Sequence, residues 1–148
     1  MMKTTKKITV LFLFLCISIL FSCSSNEKDN NNCETCTYTI AADETAGNVP
    51  TALQGEFNLT LGISLNGYSK PKGTKAKFII GAKELTVEID GEECLFLKNP
   101  TVSANGVEFS FKDTCRDNFL YAISEKSSGG LNEVNVVTLD GQFYGQFK

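Results

Sequence analysis

The sequence predicts an all-β fold, a small antiparallel up-and-down barrel or half-closed barrel of eight to ten strands, with a two-sheet β-sandwich as the alternative. Three observations carry that prediction. From Cys33 onward, apolar residues recur with a period of two, the spacing of a half-buried strand. Four Asn-Gly or Asp-Gly dipeptides, at 66–67, 90–91, 105–106 and 140–141, end these alternations, and each is suited to the positive φ of a type I′ hairpin. No helical apolar stripe of useful length interrupts the pattern.

The amino-terminal segment reads differently. Lys3, Lys6 and Lys7 precede the apolar run VLFLFLCISILF from Val10 to Phe21, with no acid before Glu27. A basic stretch followed by about 7–15 apolar residues is the pattern of a secretory signal peptide. The run is short for a spanning helix, which needs roughly 20 such residues. The expected organisation is a signal peptide over 1–22, a tether over 23–32 and a single β domain over 33–148. Ser24 to Asn32 contain no apolar side chain; such a stretch cannot offset the entropy of ordering and is expected to be flexible.

Leu20-Phe21-Ser22-Cys23 resembles the lipobox of bacterial lipoproteins, in which an aliphatic residue and a small residue precede the cysteine at which the signal is cleaved. Phe21 is larger than the usual occupant of its position. The resemblance implies lipidation of Cys23, so that the protein meets a membrane through a lipid anchor. One acyl chain binds a bilayer marginally, at about 0.8 kcal/mol per buried methylene, whereas two hold stably. The asparagine-rich tether is similar to those of Bacteroidota lipoproteins. By the same resemblance, Ser24 after the cysteine implies the outer membrane, with the periplasmic face and the cell surface both open.

The strands follow in order. Phe57, Leu59, Leu61, Ile63 and Leu65 alternate with polar or small residues, which places five apolar side chains on one face,. Leu85, Val87 and Ile89 alternate with Glu84, Thr86, Glu88 and Asp90. A two-residue turn at Asp90-Gly91 sets Val87 opposite Cys94 and puts Cys94 and Phe96 on the apolar face. Val107, Phe109 and Phe111 form the next stripe, then Phe119, Tyr121 and Ile123, then Asn132 to Leu139, then Phe143 and Phe147. Thr45 to Ala52 is the one place where a short turn of helix is expected. Gly55-Glu56-Phe57 resembles the Gly-x-Trp element that opens the first strand of lipocalins, with Phe57 where tryptophan is usual. That likeness implies a calyx for a small apolar ligand.

With Cys16 in the signal and Cys23 lipidated, Cys33, Cys36, Cys94 and Cys115 remain as disulfide candidates. An even count in an exported chain points to bridges. The strand phase slightly favours Cys94 with Cys115, leaving Cys33 and Cys36 to close on each other. The alternative ties Cys33 and Cys36 separately to Cys94 and Cys115. A thiol-redox site at Cys33 and Cys36 is a remote reading, because Thr37-Tyr38-Thr39-Ile40 continues as a strand rather than a helix start. Zinc is disfavoured because only one close cysteine pair exists.

Composition limits the remaining chemistry. The chain of 148 residues has no histidine and no tryptophan, which removes every Ser-His-Asp or Cys-His arrangement. Without residues 1–22, 11 basic side chains face 17 acidic ones, a balance that argues against nucleic acid as partner. Glu84, Glu88 and Asp90 are spaced for paired-carboxylate chemistry, but the polar face of a half-buried strand is where solvated charges belong. Asp113, Asp117 and Asp140 read as turn residues. Lys70, Lys72, Lys75 and Lys77 mark an exposed loop leading into an edge strand, or a loop that binds a partner. No catalytic residue, metal or cofactor is expected. The expected function is that of a noncatalytic outer-membrane lipoprotein whose β domain binds a small apolar ligand or an envelope protein. The alternative is an envelope structural or protein-interaction module.

Overall fold

The computed structural model describes residues 32–148. The expected signal peptide, Cys23 and the tether as far as residue 31 lie outside the described residues. Eleven strands are present among them: β1 (Glu34–Thr37), β2 (Thr45–Ala46), β3 (Gly55–Ser64), β4 (Lys75–Ile80), β5 (Glu84–Ile89), β6 (Leu95–Lys98), β7 (Thr101–Val102), β8 (Glu108–Lys112), β9 (Phe119–Glu125), β10 (Leu131–Thr138) and β11 (Phe143–Phe147). The helical turn expected over residues 45–52 is displaced: Thr45–Ala46 form β2, and a 3-10 turn lies at Thr51–Leu53.

The strands form one sheet in the order β1-β6-β5-β4-β3-β11-β10-β9-β8-β7-β2. Every pairing is antiparallel except β1 with β6. The sheet curls into a half-barrel, the half-closed form expected from the sequence, but with eleven strands rather than eight to ten and with one parallel pair in place of a wholly antiparallel meander. The curl is built into β3. Its first half, from Gly55 to Thr60, pairs with β4, and its second half, from Leu61 to Ser64, pairs with β11. One long strand therefore serves both halves of the sheet. The chain crosses between those halves again through Asn99 and Pro100, from β6 into β7.

The concave side is filled by side chains. Phe78, Phe111, Tyr121 and Phe147 are almost wholly buried together with Leu61, Leu85, Leu95, Leu97, Ile123 and Val136. Phe78 joins the two halves, with its ring 5.2 Å from that of Phe147 and 6.4 Å from that of Tyr121. Both separations lie in the range of favourable aromatic pairing.

Three local expectations are corrected. Phe57, Leu59 and Leu61 pack on or against the core, but Ile63 and Leu65 are exposed. The register shifts where Phe147 is opposite Leu61 and Gln146 opposite Ile63. Gly62 is the extra residue of a bulge, and one extra residue reverses which face the following side chains occupy. Similarly, the β5–β6 connection spans residues 90–94 rather than two residues, so Val87 faces Leu95 and Leu85 faces Leu97. Leu95 and Leu97 fill the core in place of Cys94 and Phe96. Phe96 instead pairs with Thr86, and the Lys98 ammonium lies 5.0 Å from its ring centroid. In the four turn dipeptides only the glycine has positive φ. At Gly106 and Gly141 the glycine amide closes the turn on Ser103 and Thr138. A left-handed residue after a type I turn serves these wider hairpins.

Candidate functional site

Strand direction gathers the long loops at one end of the barrel. The β3–β4 loop, the β5–β6 loop, the β8–β9 loop and the β10–β11 turn share this rim. Because β1 runs parallel to β6, its first residues start there too, beside Cys94. The chain thus enters the domain at the rim.

Two disulfides tie that entry down. Cys33 bonds Cys94 with Cα atoms 4.4 Å apart, and Cys36 bonds Cys115 with Cα atoms 5.8 Å apart. The favoured pairing of Cys33 with Cys36 and Cys94 with Cys115 is overturned, and the alternative is found. Cys36 lies inside the extended β1, where residues three apart are about 10 Å from each other, too far for a disulfide. Cys94 lies in the loop and not on the core face of a strand. Cys33 and Cys36 are therefore not partners, and the Cys-x-x-Cys spacing does not form a local dithiol.

Asp113 organises the β8–β9 loop. It is fully buried, and its Oδ1 accepts hydrogen bonds from the amides of Cys115 (3.0 Å) and Arg116 (2.9 Å). Its Oδ2 accepts the amide of Asp117 at 3.0 Å. The turn reading of Asp113 holds. Cys36, Asp113 and Cys115 bring their potential ligand atoms within 4.8 Å of one another, but the two sulfurs are bonded to each other and the carboxylate is committed to three amides. The cluster is a structural knot.

Beside it, Arg116 links its own β8–β9 loop to the β5–β6 loop. Its Nη1 donates to the Glu93 carbonyl at 2.9 Å, its Nε pairs with Asp117 at 3.2 Å, and its Nη2 is 3.7 Å from Glu92. Lys70 pairs with the same Glu92 at 2.6 Å. Tyr68 and Tyr121 lie nearby. Burial, reinforced for Tyr68 by the negative charges of Glu92 and Asp117, pushes the hydroxyls of both far up, so each stays protonated,. This network covers the rim end of the core.

A second polar cluster closes the seam between β1 and the far sheet edge. The Tyr38 hydroxyl donates to Glu44 Oε2 at 2.7 Å, and the Ala41 amide donates to the same oxygen at 3.0 Å. The Lys112 ammonium pairs with Glu44 Oε1 and donates to the Tyr38 hydroxyl at 3.1 Å. It also lies 4.5 Å from the Tyr38 ring centroid. The bond from Lys112, followed by that from Tyr38, pulls the Glu44 carboxyl down to about 2. Nothing in the local pattern of the sequence singles out these three residues, because Lys112 meets Tyr38 and Glu44 only across the seam.

The other candidates are dispersed. Glu88 pairs with Lys77 at 3.0 Å, Glu84 is in register with Lys98, and Asp90 is exposed at its turn. Asp140 accepts a hydrogen bond from the Thr138 hydroxyl, as a turn residue does. The lysine loop leads into β4, which lies between β3 and β5 and is not an edge strand. The sheet edges are β1 and β2. Open clefts occur on the outside: one of about 630 Å³ along Ser69 to Lys75, one of about 550 Å³ over Asn58, Thr60, Lys77 and Glu88, and one of about 480 Å³ beside Asn118, Leu139 and Tyr144. No family model, no curated protein and no solved structure matches this chain.

Proposed function

We propose that the chain is a noncatalytic outer-membrane lipoprotein, anchored through acylated Cys23, whose β domain recognises an envelope partner with its outer surface and loops. The observation that carries the reading is the packing of the concave side. Phe78, Phe111, Tyr121 and Phe147 occupy the space that a calyx would need for an apolar ligand, and ligand pockets of roughly 300–1,000 Å³ are concave and mostly apolar. The three clefts described above are open to solvent and lined in part by polar side chains. Two disulfides suit an oxidising compartment,, as export requires.

The test is crosslinking in native membranes followed by mass spectrometry of the intact protein. The expected result is a diacylglyceryl Cys23 at the amino terminus and one reproducible protein crosslinked to rim or sheet residues. An unprocessed leader overturns the anchor. A tightly copurifying small molecule with no protein partner overturns the partner reading in favour of the ligand reading.

A further inference from the structure

The rim is where the chain enters the domain, and it also carries two of the four large apolar side chains left in water among the described residues. Cys33, the first residue of the entry, is bonded to Cys94 in the β5–β6 loop. Residues 24–32 separate it from Cys23, and nine residues can reach at most roughly 30 Å. Among the described residues, the exposed large hydrophobics are Ile63 (41%), Leu65 (47%), Val107 (59%) and Leu139 (43%). Leu65 and Leu139 lie on the rim, and Ile63 is two residues from it. Val107 lies at the opposite end, in the β7–β8 hairpin.

Leu65 and Leu139 share one support. The Leu65 amide donates to the Tyr144 carbonyl and the Leu139 amide to that of Asn118. Beneath them the Phe119 ring packs edge-on against Tyr68 and Tyr144, each 5.7 Å away. All three rings are half-buried. Tyrosines below exposed leucines make the amphipathic profile of a membrane–water interface. Isolated exposed leucines are ordinary; their meeting with an aromatic layer at the tethered end is the observation that matters.

We propose that this rim docks on the same bilayer that holds the Cys23 anchor, with Leu65 and Leu139 inserted at the headgroup level. The inference rests on the lipid anchor of the proposed function. A short tether keeps the rim at high effective concentration near the bilayer, so a weak contact suffices. Lys72 and Lys75 are exposed on the rim, but so are Asp90, Glu93, Asp117 and Asp140. Docking is therefore driven by apolar insertion and depends little on anionic lipid.

The absence of tryptophan from the chain makes a single introduced indole a clean reporter. Full-length acylated protein carrying Leu139→Trp, or Val107→Trp as the far-end control, is reconstituted into phosphatidylethanolamine–phosphatidylglycerol vesicles containing lipids brominated near the headgroup. Flotation reads the anchor, and fluorescence reads the docking. The expected result is flotation of both proteins, with blue-shifted emission and about twofold quenching for Leu139→Trp and neither for Val107→Trp. Adding Leu65→Asp to the Leu139→Trp protein is expected to remove much of the quenching without releasing it from the vesicles. Flotation with equal quenching at both positions overturns the docking and leaves the anchor standing. Failure to float overturns both.

Discussion

Asp113 and Glu44 are carboxylates in opposite circumstances. Asp113 is fixed by three amides of its own loop. Asp113→Ala leaves those amides without an acceptor in a buried turn. It should cost about 2–4 kcal/mol in urea unfolding without reductant, and Asp113→Asn, which keeps one carbonyl oxygen, about half as much. Glu44 is held by a cation at the seam, and its folded-state value of about 2 lies below the ordinary 4.5. A depressed carboxylate stabilises fully above its unfolded value and loses that contribution as pH falls toward the folded value. Glu44→Gln should therefore cost about 1–2 kcal/mol at pH 7, discounted for partial exposure. The difference from the parent protein should shrink between pH 4.5 and 2. A difference that does not vary with pH would show that shape, not charge, holds the clasp.

At the scale of elements, β1 depends on its crosslinks. It is a four-residue edge strand, with the two bridges at its first residue's neighbour and within it. The Cys36–Cys115 bridge alone closes a loop of 79 residues, worth roughly 4–5 kcal/mol on chain-entropy grounds. With one bridge in place, the other closes a path of only about 24 residues, through 33–36 and 94–115, worth roughly 3 kcal/mol. Removing either pair by serine substitution should thus cost roughly 3 kcal/mol, and removing the second pair should cost more than the first. Equal increments in urea unfolding would contradict the shared path. Gly145 makes a similar point for β11. A Cβ there would lie 3.1 Å from Leu61 Cδ1 and 3.2 Å from both the Ile63 carbonyl oxygen and Tyr68 Cδ1. Gly145→Ala should lower the unfolding midpoint by an amount corresponding to about 1–2 kcal/mol.

The whole molecule is held by one aromatic core inside a curled sheet. Phe78 contacts Tyr121 and Phe147 from across the fold, so Phe78→Ala should be among the most damaging single changes, about 3–5 kcal/mol by calorimetry or urea unfolding. The interior was largely legible beforehand. Tyr121 and Ile123, Phe109 and Phe111, and Leu85, Val87 and Ile89 all face the core as their alternation requires. The surface sites were less so. Arg116, Glu92 and Lys70 come from three separate loops, and Tyr38, Glu44 and Lys112 from two ends of the sheet. Their meeting depends on loop conformation and barrel closure, which no period in the sequence encodes.

Strand identity, the consecutive hairpin pairings and the aromatic filling follow from local pattern alone, because a period of two and a following turn residue act within about ten residues. Other properties waited on contacts distant in the chain: which sulfurs join, on which side of Gly62 the apolar stripe turns outward, and which loops share an end with the chain entry. Extension of β1 separates Cys33 from Cys36. Parallel pairing with β6 then carries each of them to a remote partner. A bulge reverses the faces of Ile63 and Leu65 without altering their spacing in sequence. Such outcomes are set by register and closure, which are properties of paired strands and not of any one of them.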